Sequence, residues 1–189
     1  MIDNLCTHSS YSRKLMLESS MMYDKNSIEK SYAVMKEFYE VVKNDENKNV
    51  IQSLQFKLCN LKDINHTISR LATSVVIDDI ELYEVKSLAL LSADVKNILE
   101  KISLDKIIKI PNLDEVVKIL DPDGLRIATF YIYDSYSEEL ASLRKKLKEK
   151  DVYQEEIYNE VMRIEDEIRA ELSSKLKPYS EAMSMALNA

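Results

Sequence analysis

The sequence of 189 residues contains a single glycine, Gly124, and no tryptophan. Average usage would supply about 7% glycine. Phosphate-binding loops of the Walker type and dinucleotide-binding turns need several glycines, because their backbone must come close to the phosphate. The scarcity of glycine therefore excludes both kinds of nucleotide-binding loop from this chain.

Proline and cysteine are also scarce, with three and two residues respectively. Glycine and proline are the residues that helices exclude most strongly, so a sequence poor in both favours helix. Cys6 and Cys59 lie far apart and match no metal-ligand spacing, so we expect two reduced thiols. No apolar run approaches the roughly 20 residues of a membrane span, and no basic and apolar signal region begins the chain. We therefore expect a cytoplasmic protein with no membrane partner.

Positive charge is in deficit, and the formal net charge is −7. A nonspecific nucleic-acid binder usually carries a basic excess, so the chain by itself is expected to bind DNA poorly. The hydrophobic residues, at 46% of the sequence, are numerous enough to form a core. Length and composition predict one folded domain, or one domain with an extension.

Apolar residues recur at helical spacing along most of the chain. The first predicted helix begins near Ser10 or Ser12, and the second is capped by Asn26 or Ser27. Along the second helix one apolar stripe is formed by Ile28, Tyr32, Met35, Phe38, Tyr39 and Val42. The stretch of about 79–102 is the most apolar, and its wide stripe predicts a central helix covered on more than one side.

The only glycine marks a predicted turn over 121–124, with Pro122 at its second position. Residues 127–133 are rich in β-branched and aromatic side chains, which favours a short strand or an extended arm. Ser137 then begins a helix that runs to about Lys150.

A long helix is predicted from about Asp151 to the end of the chain. Its narrow apolar seam consists of Ile157, Val161, Ile164, Ile168, Leu172, Leu176, Tyr179 and Met183. Pro178 should bend this helix, because it removes a hydrogen bond to the carbonyl of Ser174. The helical pattern is still in progress at Ala189, so we expect the chain to be part of a longer protein.

Two acidic groups have the composition of metal sites but also simpler explanations. Asp121 and Asp123 lack the order of a calcium loop, so a turn is favoured. The acids at 78, 79 and 81 could suggest a magnesium site, but acids at a helix start are favoured by the helix dipole. His8 and His66 are expected at the surface or in capping roles.

One tyrosine group and one basic group are the remaining candidates for contact with nucleic acid. Tyr131, Tyr133 and Tyr136 could stack on bases, but burial against helices is favoured. The basic run Arg144, Lys145, Lys146 and Lys148 is a candidate for contact with a phosphate backbone, although such runs are usually solvated helix faces. No residue is assigned a catalytic, cofactor-binding or metal-ligating role.

Leu120–Gly124, followed by Tyr133–Arg144, resembles the central region of the MutS family of DNA mismatch-repair ATPases. It looks most similar to the branch whose members lack the mismatch-reading N-terminal domain. In that family an acidic-glycine turn leads to an Asp-Ser or Tyr-Asp pair, then to Pro/Ser-Glu-Leu, two further residues and Ile/Leu-Arg. The corresponding residues are Gly124, Asp134, Ser135, Leu140 and Arg144.

Two further segments carry the same resemblance. Asp63-Ile64, with Arg70 and Leu71, resembles a core segment of the family. The segment from Ile164 to Ala189 resembles the second lever helix, which leads into the ATPase domain.

The resemblance implies an all-α fold, with a helical core bundle over 1–120. The turn, the extended arm and an elongated pair of lever helices would follow over 121–189. Full-length members are implied to be dimers that use ATP and Mg²⁺ in a domain beyond Ala189 and act on double-stranded DNA in repair. This chain would then be a non-catalytic core and lever module without a cofactor of its own. Only a few residues near Lys150 separate the lever helices, which leaves no room for the β-rich DNA clamp of the family.

A different class of protein fits the helical pattern as well. The chain could be a non-catalytic helical adaptor for protein interactions, unrelated to DNA repair. The residues encoded after Ala189 distinguish the two, since only the MutS-like protein requires a glycine-rich phosphate loop there.

Overall fold

The computed structural model describes residue 7 and residues 9–149 and 154–188. Within these ranges the regular structure is helical and no strand is present, which confirms the predicted all-α fold. The α-helices are α1 (Ser10–Glu18), α2 (Lys25–Lys43), α3 (Lys48–Leu58), α4 (Asn65–Ala72), α5 (Asp79–Lys101), α6 (Asp114–Leu120), α7 (Glu138–Glu149), α8 (Gln154–Leu176) and α9 (Ser180–Asn188). Short 3₁₀ turns cover Asp45–Asn47, Asp134–Tyr136 and Lys177–Tyr179. None of the described helices is both long and apolar enough to cross a membrane.

Helix α2 begins before the predicted caps. Its N-cap is Asp24, whose carboxylate accepts a hydrogen bond from the backbone N–H of Ser27 at 2.8 Å. Asn26 and Ser27, the predicted caps, are inside the helix. The correction has a local reason, because an aspartate two or three residues earlier satisfies the same free N–H groups.

Helix α5 carries the broad apolar surface that its sequence predicts. The buried side chains of the stripe are Leu82, Val85, Leu88, Val95, Ile98, Leu99 and Ile102. Leu91 is only half-buried. Because the buried stripe is wide, neighbouring parts of the chain cover α5 on more than one side, whereas a narrow stripe would leave the rest of the helix exposed to solvent.

The seam of α8 is buried as predicted, through Val161, Ile164, Ile168, Leu172 and Leu176. The α-helix does not continue to the chain end, however, because a 3₁₀ turn at Lys177–Tyr179 separates α8 from α9. Pro178 lies in this turn. Its ring nitrogen has no hydrogen to donate to the preceding turn of helix, so the regular bonding pattern stops there. Met183 is buried on α9 beyond the interruption.

The single glycine forms the predicted turn. The backbone N–H of Gly124 donates to the carbonyl of Asp121 at 2.9 Å, and its φ is +66°. A Cβ at this position would meet nothing within 4 Å. Residues 125–133 continue as irregular chain, and the strand alternative for 127–133 is not realised in this described segment.

The chain divides into two compact units. The first consists of Met1–Asp63, Leu91–Asn112 and Met185–Ala189, and the second of Ile64–Leu90 and Leu113–Ser184. Each unit therefore contains residues from both sides of position 120. The first unit has a core of Val95, Leu99, Ile102 and Leu104, against which Phe38, Val41, Val50, Leu54 and Leu58 pack.

The seam of α8 makes a prediction about stability. Leu176 is fully buried, so Leu176→Ala should lower the free energy of unfolding by about 2–5 kcal/mol through lost burial and the resulting cavity. Ser174→Ala, at an exposed position of the same helix, should change it by less than about 0.5 kcal/mol. Urea unfolding followed by circular dichroism measures both, and equal effects would contradict the burial of this seam.

Candidate functional site

Arg144 lies at a point where three parts of the second unit meet. Its Nη1 donates to the carbonyl oxygen of Ile132 at 2.7 Å and to the Asp134 carboxylate at 2.6 Å. Its Nη2 donates to the Glu165 carboxylate on α8 at 2.5 Å. These four residues are called the Arg144 junction below. One planar guanidinium thus connects the irregular segment before α7, α7 itself and α8.

Local sequence places Arg144 in this position. The Ser137 hydroxyl accepts a hydrogen bond from the N–H of Leu140 at 3.2 Å and so caps the start of α7. Leu140 is fully buried, which fixes the face that α7 turns inward, and Arg144 follows one helical turn later. Asp134 is held in the 3₁₀ turn directly before α7. Of the residues that carry the sequence resemblance, Asp134 and Arg144 are therefore in direct contact, whereas Ser135 is exposed.

The charge of Arg144 is balanced locally. Burial by itself lowers the pKa of the guanidinium, but hydrogen bonds and charge attraction from Asp134 and Glu165 outweigh it, and the pKa is raised. Only 26% of the side chain is exposed. Arg144 is thus a permanent cation directed at internal acceptors.

The basic run predicted to contact phosphate is divided by the structure. Arg144 points into the junction, whereas Lys145, Lys146 and Lys148 are exposed on α7. The lysines are consequently the members of the run that are available to an external anion. Lys86 of α5, in contrast, is a lysine withdrawn completely from solvent.

The buried cluster around Lys86 contains Asp121 and Tyr133. The Lys86 Nζ lies 3.0 Å from the Asp121 carboxylate and 3.0 Å from the Tyr133 hydroxyl. The same hydroxyl donates to Asp121 at 2.9 Å, and the backbone N–H of Arg126 donates to the second carboxylate oxygen at 2.8 Å. The side chains of both Lys86 and Asp121 have no exposed surface. We call Lys86, Asp121 and Tyr133 the Lys86 cluster.

The Lys86 cluster keeps its carboxylate charged. Burial alone raises the pKa of the Asp121 carboxyl, but the Arg126 N–H, the Lys86 ammonium and the Tyr133 hydroxyl outweigh it, so the pKa lies below its ordinary value. Burial, followed by the hydrogen bond to Asp121, raises the pKa of Tyr133. Tyr133 therefore remains a hydrogen-bond donor over the physiological range.

The Lys86 cluster also determines backbone shape. Arg126 adopts φ +50°, in the left-handed region that side chains other than glycine rarely occupy. Its N–H is bound by the Asp121 carboxylate, which compensates this unfavourable conformation. Asp121 is therefore the anchor of the turn as well as the partner of Lys86.

Sequence reasoning missed Lys86. It lies in the apolar stretch of α5 and would ordinarily be assigned to a solvated helix face. One usable signal was present, namely an aspartate three residues before the single glycine, with aromatic residues shortly after the turn. Of the three tyrosines considered for base stacking, Tyr133 is buried as favoured, Tyr136 is half-buried and Tyr131 is 40% exposed.

The acids at the start of α5 form a capping box. The Asp78 carboxylate accepts from the N–H of Glu81 at 2.8 Å, and the Glu81 carboxylate accepts from the N–H of Asp78 at 3.1 Å. Glu81 also pairs with Arg70, whose second nitrogen donates to the Val76 carbonyl at 3.1 Å. These bonds place Asp78 and Glu81 at the start of the helix as predicted, and Asp79 is the first residue of α5.

The other residues of the family-like motif have structural contacts. Ile64, the N-cap of α4, and Leu71, near the end of the same helix, are both buried. Asp63 forms an ion pair with Lys14 at 2.6 Å within the first unit. Each of these residues thus supports local packing or charge balance.

Candidate metal ligands are few in the described part of the chain. No group of three or more histidine, cysteine or acidic side chains there could hold a metal ion. His66 is exposed and Cys59 is an exposed free thiol, whereas His8 and Cys6 lie outside the described residues.

Comparison with known proteins adds no relative. No family model matches the chain, and no curated protein and no solved structure matches it. The resemblance to the MutS family therefore stays a prediction from the sequence.

The Lys86 cluster makes a prediction about stability. Lys86→Met should lower the free energy of unfolding by about 3–5 kcal/mol, because it leaves a buried carboxylate without its cation. Lys86→Met combined with Asp121→Asn should recover part of this loss, since no unpaired charge then remains. Urea unfolding of the single and double variants tests the coupling, and simple additivity of the two substitutions would contradict it.

The cluster also predicts how stability depends on pH. The folded-state pKa of Asp121 lies below its ordinary value of 3.8, so its contribution is present above that pH and is lost as the pH falls through the folded pKa. The stability difference between wild type and Asp121→Asn should therefore be largest near neutral pH. It should shrink once the pH drops below about 4. Thermal unfolding across this range measures the difference, and a constant value would refute the assignment.

Proposed function

We propose that the chain is the core and lever module of a MutS-like DNA-repair protein. In this role it is non-catalytic and couples a C-terminal ATPase domain, which binds ATP and Mg²⁺, to engagement of double-stranded DNA in the cytoplasm. The full-length protein would act as a homodimer. The observation that supports the proposal is the Arg144 junction, where Asp134 and Arg144, two residues of the family-like motif, meet Glu165 of the second lever helix.

The packing of α8 suits a mechanical role. Glu165, Arg169 and Ser173 follow one another at helical turns and each makes a polar contact outside α8. Glu165 binds Arg144 of α7, and Arg169 binds Asp79 at 2.6 Å. The Ser173 hydroxyl accepts from the N–H of Ile77 at 3.3 Å.

These contacts give α8 discrete attachments to α7 and to the start of α5. A displacement applied at the C-terminal end of α8 would consequently be transmitted to both partners, because a helix with a buried seam moves as a stiff element. This is the property that a lever needs.

Contact with DNA is assigned to α7 in this proposal. Lys145, Lys146 and Lys148 are exposed along one helix, and each neutralised phosphate would release counterions and favour binding. The net charge of −7 limits this contribution, so the rest of the protein would supply most of the affinity.

The second candidate function is a helical adaptor for protein interactions without an attached ATPase. The observation that favours it is a row of exposed apolar side chains on α2, among them Tyr32 and Tyr39. Such rows serve as helix-docking faces in many complexes. An adaptor would not require a phosphate-binding loop after Ala189.

The experiment uses the protein extended through its natural coding sequence beyond Ala189. ATP hydrolysis is measured with and without duplex DNA. Arg144→Lys keeps the positive charge but cannot bind three acceptors with one planar group, so DNA stimulation should fall at least about fivefold while basal hydrolysis persists.

Arg163→Lys is the matched control. Arg163 lies on the exposed face of α8 and pairs with Glu160 and Glu167 of the same helix, so DNA stimulation should be unchanged. The proposal is wrong if no nucleotide-binding loop is encoded after Ala189, or if both variants behave alike.

A further inference from the structure

Helix α2 has two apolar faces, of which only one is used internally. Phe38 and Val41 pack against the core of the first unit. Tyr32, Met35, Tyr39 and Val42 point outward and are 66%, 62%, 59% and 54% exposed. These four residues are called the α2 row. A monomeric protein rarely exposes a continuous line of large apolar side chains, so the row needs an explanation.

The spacing of the α2 row is that of a coiled-coil seam. Its members lie at positions 32, 35, 39 and 42, so they follow one another at intervals of three, four and three residues, as in a heptad repeat. Tyr32 and Tyr39 thus occupy a positions, and Met35 and Val42 occupy d positions. A seam of this kind is completed by a second helix with the same repeat.

We propose that the α2 row pairs with the α2 row of a second copy of this chain, antiparallel and about a two-fold axis. In this arrangement Tyr32 lies opposite Val42 of the second copy, and Met35 lies opposite Tyr39. Symmetry repeats both contacts, so every member of the row is covered. The proposal concerns this chain by itself and does not depend on the proposed function.

The charges beside the row favour this partner and this direction. In the antiparallel pair Glu29 of each copy comes next to Lys43 of the other, which gives two attractive contacts. One contact is unfavourable, because Lys36 of one copy faces Lys36 of the other at the two-fold axis. A parallel pair would instead place Lys43 beside Phe38 and Lys36 beside Ser31, with no opposite charge.

Both partners of the proposed contact are accessible. The Glu29 side chain is 64% exposed, and its existing ion pair with Lys25 within the helix is long, at 3.7 Å. Lys43 lies over the ring of Tyr39, with 5.8 Å from Nζ to the ring centroid. An exposed pair within one helix contributes little stability, so exchanging it for a contact across the interface costs little.

The size of the row predicts a reversible dimer. An aromatic side chain buries about 150–250 Å² when fully covered, so the α2 row supplies on the order of 400 Å² per copy. A standard stable interface buries about 800 Å² per partner. The dimer should therefore form and dissociate with concentration.

Sedimentation velocity of the purified chain at low ionic strength tests the proposal. The mass should rise with concentration from 21.9 kDa toward about twice that value. Glu29→Lys or Lys43→Glu alone should abolish the rise, because each places like charges opposite one another. The double variant, with both charges exchanged, should restore it.

Two further variants distinguish association through the α2 row from nonspecific hydrophobic association. Tyr39→Ser should remove the dimer, whereas Phe56→Ser should retain it, since Phe56 is 72% exposed on α3 and lies outside the row. Circular dichroism checks that each variant remains folded. A wild-type chain that stays monomeric at every concentration overturns the proposal, and so does a double variant that fails to restore the dimer.

Discussion

The buried ion pair between Lys86 and Asp121 is the interaction on which the second unit depends. Asp121 ends α6, binds the Arg126 N–H inside the turn and receives the Tyr133 hydroxyl from the far end of the irregular segment. Lys86, through its ion pair with Asp121, connects the turn to α5. The segment that delivers Asp134 to α7 is thereby fixed at both ends by one carboxylate, although it contains no regular structure. The geometry of the Arg144 junction follows from this fixation.

The two polar groups of the second unit differ in how they relate to solvent. The Lys86 cluster is fully enclosed, so its charges must satisfy one another in place. The Arg144 junction is partly open, with Asp134 still 59% exposed. An enclosed cluster gives a fixed shape, whereas a partly open one can exchange partners with water at lower cost.

Periodicity predicted much of this fold, and the reasons for its errors are physical. The seam of α8 is a repeat within one helix, so its burial could be predicted from the sequence alone. Pro178 likewise indicated where the regular helix is interrupted. The burial of Lys86 could not be predicted from the sequence, because its partner Asp121 is 35 residues away and only the tertiary fold brings the two together. The α2 stripe shows what periodicity within one helix does not determine. Its apolar residues were identified, but which of two overlapping faces packs inward is decided by the neighbouring helices.

Gly124 shows how little a single position can require. Its neighbourhood is empty, so a methyl group would fit there without displacing anything. What the position demands is a φ of +66°, which an L-residue adopts only at a cost. A D-alanine would satisfy the same backbone with ease. Glycine suits this position because its Cα is achiral and tolerates a positive φ, whereas its small size is not needed there.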